Sequence, residues 1–379
     1  MRRNSRWRAF GAALALAGPA VSASRAAPAS GAAVESIGTC MASAARALDF
    51  SGVVSVVRNG AMTSYARGLV AGPGSLPIDI GTRFNLGSAG KMFTAVAVAQ
   101  LIDAGKVGLD DPIGRYVAGL TAEASAVTVR QLLTHSSGLG NYFAPENLPA
   151  MLEARTLGDL LPLVAAEKPQ FPPGSRFSYS DTGFLLLGLM IERASGRSYG
   201  DYLQSHIFDP AKMASTGLAP PPARAIGMTS MAAPPGPPGP GPARPAPEAA
   251  LHGGSAGGAF STADDMQRFF AALTEGKLTS AASFRRLVSA QIVAAPATGD
   301  QPERDYGFGF GVGRFVDRRW FGHNGGAPGV NVEATVFPDD QLAIVVLANR
   351  DPPAATLLFR KLRAALFDPA VGKGCGGRP

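Results

Sequence analysis

The chain has 379 residues, 46% of them apolar and 17% charged, and a formal net charge of +7. That length and apolar share exclude a disordered chain and suffice for one large domain or two lobes around a shared cleft. Four of the positive charges, Arg2, Arg3, Arg6 and Arg8, crowd the N-terminus, and the +3 left without them is too mild to point to a nucleic-acid or membrane partner.

Those arginines precede an apolar run over residues 9–21, and Val21-Ser22-Ala23 has the small-x-small form of a cleavage site. These features predict a secretory signal peptide over residues 1–23 and an exported mature chain over 24–379, periplasmic or secreted. The run is 13 residues long and carries Pro19. It falls short of the roughly 20 residues that span a bilayer, so no stable membrane anchor is expected. Only two cysteines occur, Cys40 and Cys375, and in an oxidising compartment an even pair leads to the expectation of a disulfide. Four scattered histidines and two distant cysteines lack the spacing of a zinc site. No metal or cofactor is expected.

Residues 36–48 read as a short helix. Two β-rich runs follow, 52–58 and 62–70, separated by Asn59-Gly60, a strong hairpin signal. The pattern is helical from Ser88 to about Ala104 and closes on Gly105. Helical signals then continue to His206 and include 129–134, 157–166 and 182–194, the last stopped by Gly196. From 218 to 250 the chain is crowded with Pro, Ala and Gly, which predicts an exposed loop with a short ordered piece around 226–231. Thr262-Ala263-Asp264-Asp265 reads as a capping box opening a helix to about Leu273. Strand-like runs follow at 306–315, 320–323, 330–337 and 342–348, and a last helix begins near Pro353. In the first of these runs Tyr306, Phe308, Phe310 and Val312 alternate with glycines, so one face packs and the other admits a close neighbour.

This order predicts an α+β fold. Two front strands and three or four back strands join in one antiparallel sheet, terminal helices cover one face, and a helical insert forms a second lobe. The expected division is an α/β lobe over about 33–82 plus 251–379, a helical lobe over 83–217 and a Pro-rich loop over 218–250, within one catalytic domain. With the first and last helices antiparallel on the sheet, Cys40 comes near Cys375.

Three segments carry candidate chemistry. Ser88 and Lys91 stand three residues apart at a helix start, so an ammonium can sit beside a hydroxyl that needs a base to become a nucleophile. The plainer alternative is a capping serine with a solvated lysine. Tyr179 lies in Tyr179-Ser180-Asp181, and a nearby ammonium would lower its phenol pKa and make it a proton carrier. A satisfied interior tyrosine is the alternative. His323-Asn324-Gly325-Gly326 lies between two strands, where glycines let a strand edge approach a ligand. An amide from that edge can pair with the Ser88 amide as an oxyanion hole. A plain strand turn with a surface histidine is the alternative.

In this order and spacing the three segments resemble the penicillin-recognising serine hydrolases, most closely the branch of class C β-lactamases, D,D-peptidases and esterases. Residues 129–139, 257–265 and 322–329 add to the resemblance, which runs from about Asp49 to Leu366. It implies a β-lactamase-like fold, Ser88 as nucleophile, Lys91 as its lysine and Tyr179 as base. Asp181 and the strand residues His323, Asn324, Gly325 and Gly326 would border the substrate, with the Ser88 and Gly326 amides as oxyanion donors. Two positions depart from the β-lactamase pattern. Asp181 replaces the usual Asn, and His323 replaces the Lys of many members. The implied activity is therefore an acyl-enzyme hydrolase of ester, amide or β-lactam carbonyls. It is closer to an esterase or D-amino-acid peptidase than to an efficient β-lactamase. The alternatives are a silent scaffold of the same fold, or a true class C-type β-lactamase. The expected partner is a small molecule or short peptide.

Gly253-Gly254-Ser255-Ala256-Gly257 fits a nucleophile-elbow pattern but lacks the strand before it that such an elbow needs. The glycines from Gly307 to Gly313 lack the strand-turn-helix setting of a dinucleotide loop. His135 reads as a structural, hydrogen-bonded residue rather than a base.

Overall fold

The computed structural model describes residues 31–231, 242–246, 254–296 and 304–367. The expected signal peptide over 1–23, Cys375, Gly253 and residues 232–241 and 247–250 of the Pro-rich loop lie outside the described residues.

Helix α1 (Gly31–Ala47) leads into strands β1 (Gly52–Arg58) and β2 (Ala61–Arg67). Asn59 and Gly60 both take positive φ, at 51° and 77°, which a two-residue hairpin turn requires. After β3 (Phe84–Asn85) and a 3₁₀ turn over Gly87–Gly90 come α2 (Lys91–Asp103), α3 (Ala122–Ser125), α4 (Val129–Leu133), α5 (Leu148–Glu153), α6 (Leu161–Val164), α7 (Asp181–Ser195) and α8 (Tyr199–Leu203). The chain returns through β4 (Met228–Thr229), β5 (Arg244–Pro245) and β6 (Phe260–Ser261), then α9 (Ala263–Thr274) and α10 (Ala281–Leu287). Strands β7 (Ile292–Ala295), β8 (Arg304–Tyr306), β9 (Gly311–Phe315), β10 (Arg318–Ala327), β11 (Val330–Phe337) and β12 (Leu342–Ala348) precede the last helix, α11 (Ala354–Phe367).

The main sheet runs β2-β1-β12-β11-β10-β9-β8-β7, with every pairing antiparallel. The front hairpin thus joins the back strands, as the pattern predicts, but the sheet has eight strands rather than five or six. Two features account for the difference. β7 adds an edge strand. The expected single strand over 306–315 is broken into β8 and β9, because Gly309 takes φ +72° and the Gly307 amide turns back to the Phe310 carbonyl at 2.8 Å.

Strand alternation builds a core on each face. In β12, Ala343, Val345 and Leu347 pack with the helical insert, while Leu342, Ile344 and Val346 pack with α1 and α11. Both faces of β12 are covered, which explains its unbroken apolar run. The insert leaves and re-enters at one point, where Phe84 pairs with Ser261 and Asn85 with Phe260. Within it, ten of the 13 residues of α2 are buried. A helix apolar nearly all round is a central one. That location carries Lys91, its first residue, into the interior.

Caps follow the sequence signals closely. Gly196 closes α7 in the left-handed conformation, at φ 72°. Thr262 caps α9 through the Asp265 amide, but the reciprocal half of the expected capping box is missing. The Asp265 carboxylate instead accepts from the Ser215 amide and the Thr216 hydroxyl, both at 2.8 Å. Cys40 is buried in α1 and is not a free thiol. No helix among the described residues is long and apolar enough to cross a membrane.

Candidate active site

Ser88 does not open α2, as the pattern suggests. It lies inside the 3₁₀ turn over Gly87–Gly90, and the α-helix starts at Lys91. In a 3₁₀ turn, side chains three apart eclipse one another, which sets Ser88 and Lys91 on the same side of the turn. The turn is held from below by the Asn85 side chain, which accepts the Gly87 amide at 2.7 Å.

Lys91 is fully buried, and its ammonium is anchored twice. Its Nζ donates to Asp181 Oδ1 at 2.5 Å and to the Ala256 carbonyl at 2.5 Å. It also lies 4.8 Å from the centre of the Tyr179 ring. Burial works to lower the lysine pKa, but the negative charges available on Tyr179 and Asp181 outweigh it, and the pKa is raised. The Ala256 carbonyl belongs to a loop tied to the 3₁₀ turn by the Gly258 amide on the Gly87 carbonyl, at 3.0 Å. From α2, the Thr94 hydroxyl donates to the Ser255 carbonyl at 2.7 Å. Ser255 itself is fully buried, which agrees with its dismissal as an elbow nucleophile.

Tyr179 stands just before α7, whose N-cap Ser180 accepts the Gly183 amide. Its ring faces the Lys91 ammonium, and Lys91 and Ser88 both act on the phenol to favour its charged form. Lys91 acts to lower the phenol pKa, as expected, but the net shift is upward. Burial pushes it up and outweighs the ammonium, and the neighbouring Asp181 charge adds to the rise. The physical reason is desolvation of the phenol, which outweighs the opposing pull of Lys91.

The strand segment lies where its glycines predict. β9 pairs with β10 only as far as Gly322, so residues 323–327 extend beyond it. A methyl group on Gly325 would stand 2.1 Å from the Leu86 carbonyl and 3.2 Å from the Ser88 amide nitrogen. The Gly326 amide nitrogen lies 3.3 Å from where a methyl on Gly87 would be. Only bare backbone fits this contact, and it brings the Ser88 and Gly326 amides into one neighbourhood.

Two expected substrate-binding side chains are engaged elsewhere. Asp181 is 7% exposed and holds Lys91. His323 is 8% exposed, with Nδ1 on the Asn324 carbonyl at 2.5 Å and Nε2 on the Tyr306 hydroxyl at 2.9 Å. Burial holds the His323 pKa down at about 4, with Lys91 adding to the effect against the Asn324 carbonyl. Asn324 is exposed and, with Phe177, Tyr179, Arg304, Tyr306 and His323, lines a cleft of about 870 Å³ that Ser88 itself does not line. No cluster of residues able to hold a metal ion occurs among the described residues.

Sequence reasoning missed the Ala256 carbonyl, since a backbone oxygen has no residue signature. It also left unassigned the linkage of His135 to Tyr306, whose Nε2 and hydroxyl lie 3.2 Å apart.

Comparison with known proteins shows the family and the fold. Over 144 residues the chain is 35% identical to Penicillin-binding protein 4* of Bacillus subtilis, covering 37% of this chain and 31% of that protein. It is 27% identical over 325 residues to a D-aminopeptidase of Cereibacter sphaeroides, covering 83% of this chain and 60% of the relative. These matches therefore span less than two thirds of either curated relative. A penicillin binding protein from Bacillus halodurans superposes with a TM-score of 0.76 at 28% identity, covering 86% of this chain and 99% of that one. The family model described as Beta-lactamase matches residues 41–367. The chain belongs to the beta-lactamase family, and with it to the serine hydrolases of the penicillin-recognising type.

Proposed function

We propose that Ser88 is acylated by an ester or amide carbonyl, with D-amino-acid amides and short peptides ahead of β-lactams. The convergence of Tyr179 on the Lys91 ammonium, 4.8 Å from its ring centre, beside the turn that bears Ser88 and the close-packed Gly325–Gly326 edge carries this reading. In the deprotonated form of Tyr179, the phenolate takes the Ser88 proton as Oγ attacks the carbonyl carbon. The carbonyl π pair moves onto oxygen, where the Ser88 and Gly326 amides receive it. The tetrahedral intermediate then collapses, and Tyr179 returns the proton to the departing amine or alkoxide. Water repeats the sequence and frees the acyl group. Lys91, held as an ammonium, stabilises the phenolate without itself leaving its partners.

Substrate preference follows from charge. With His323 uncharged and Lys91 neutralised by Asp181, neither residue offers the free cation that a β-lactam carboxylate would use. The D-aminopeptidase relative supports the same preference. A fluorophosphonate probe should label wild type and not Ser88→Ala, and D-amino-acid amides should turn over faster than nitrocefin. Equal labelling of both proteins would remove Ser88 from the mechanism. The proposed export is tested separately by N-terminal sequencing of the secreted protein, which should begin after Ala23.

A further inference from the structure

The Ser88 site, read as above, is assembled from two segments far apart in sequence: 178–180, with Tyr179, and 323–326, with the oxyanion edge. One buried side chain touches the first and reaches toward the second. His135 has no exposed surface and takes φ +54°, a conformation that residues other than glycine rarely adopt. Strain of that kind is held only where the surroundings over-determine it. Here the His135 carbonyl accepts the Ser178 amide at 2.8 Å, and its Nδ1 accepts the Ser180 amide at 3.0 Å. The residue between them is Tyr179, whose ring lies against the imidazole with centroids 4.2 Å apart. His135 therefore grips the base segment on both sides and on its face.

Proton bookkeeping then sets the direction of the remaining bonds. An Nδ1 that accepts leaves the His135 proton on Nε2, which donates to the Tyr306 hydroxyl at 3.2 Å. Tyr306 passes its own proton to His323 Nε2 at 2.9 Å. His323 must then be protonated on Nδ1, which donates to the Asn324 carbonyl at 2.5 Å. This assignment uses each proton once and leaves both imidazoles neutral. We infer that His135, Tyr306 and His323 form a one-directional hydrogen-bond relay, locked in single tautomers, that positions Tyr179 and the β10 edge against Ser88.

The three are positioning residues. Neither nitrogen of His323 is free for substrate, so this strand presents its backbone and Asn324 instead. The charged and titratable groups around the relay are Lys91 from α2, Asp181 from α7 and Tyr179 before it, with Arg304 and Asp305 of β8, Arg314 of β9 and Glu333 of β11 lining the same cleft. Burial and the Lys91 charge both oppose protonation of the two histidines.

The chain has four histidines, so ¹⁵N-labelled histidine resolves each tautomer by NMR on the intact protein. His135 should appear as the Nε2–H form and His323 as the Nδ1–H form, both uncharged at pH 6. Tyr306→Phe keeps the ring and removes both bonds. It should mix the His323 tautomers and lower kcat about tenfold, the effect of one misplaced hydrogen bond, with KM within about twofold of wild type. A wild-type His323 that is Nε2–H or cationic overturns the relay, as does a Tyr306→Phe enzyme with wild-type kcat. The two readings fail separately. Absence of fluorophosphonate labelling on wild type would overturn the Ser88 mechanism alone, because the tautomers are read without turnover.

Discussion

Asp181 controls the charge state of the buried site. An asparagine there could still accept from Lys91, but it would bring no negative charge into a pocket that burial already makes hostile to cations. In Asp181→Asn the Lys91 pKa therefore falls, because burial is opposed by one anion fewer, and the Tyr179 pKa falls with it. Both groups lose their protons at lower pH. The alkaline rise of kcat/KM on a p-nitrophenyl ester should accordingly move to lower pH, and an unmoved profile would show that Asp181 does not set this charge. At this scale the sequence was legible wherever chemistry lives in a side chain: Ser88, Lys91 and Tyr179 each have functional groups that few residues share. The Ala256 carbonyl was illegible, since every residue has one and only the fold aims it at Lys91. The direction of the Tyr179 shift was misread for a related reason. It depends on desolvation first and then on the Lys91 and Asp181 charges, all of them tertiary facts.

Strand β10 does its work through the absence of side chains. In Gly325→Ala the new methyl meets the Leu86 carbonyl at 2.1 Å, so either β10 or the 3₁₀ turn must move. Displacement on that scale should lower kcat about 10²-fold on the same ester. Gly217→Ala is the control, since its methyl meets nothing within 4 Å, and it should keep most of the activity. Equal losses in both would argue against the close approach as the cause. Thr262→Ala removes the cap of α9 and should destabilise the protein by about 1 kcal/mol in urea unfolding. Alternation and caps made most elements readable. The break between β8 and β9 was not readable, because the glycine-aromatic alternation over 306–313 fits an extended strand equally well. The turn is chosen by partners outside it: the Gly309 amide reaches the Leu133 carbonyl, and the Phe308 amide reaches that of Leu287, both at 3.1 Å.

The molecule as a whole should be acid-labile through its buried histidines. His323 has a folded pKa of about 4 against 6.5 unfolded, so between those values the unfolded chain binds more protons. Stability is complete above pH 6.5, declines as pH falls, and by pH 4 has lost on the order of 3 kcal/mol from this residue. His135 acts with the same sign. Glu333, whose buried carboxyl is pushed up, acts with the opposite sign. Thermal melts from pH 7 to 4 should show a shallower acid decline in His323→Gln than in wild type, and parallel curves would contradict the neutral assignment. The proposed Cys40–Cys375 bridge is tested by titrating denatured, unreduced protein exported to the periplasm, in which no free thiol should appear.

Periodicity and residue chemistry, both local, were enough to determine an α+β chain with a two-faced sheet and to single out three candidate segments in order. Tertiary structure alone decided what depends on neighbours remote in the chain: the Lys91–Asp181 pair, the fit of bare glycine against the Ser88 turn, and the tautomers of His135 and His323. Charge state and backbone approach are set by distance and dielectric, and neither is written in a sequence until the fold has brought its parts together.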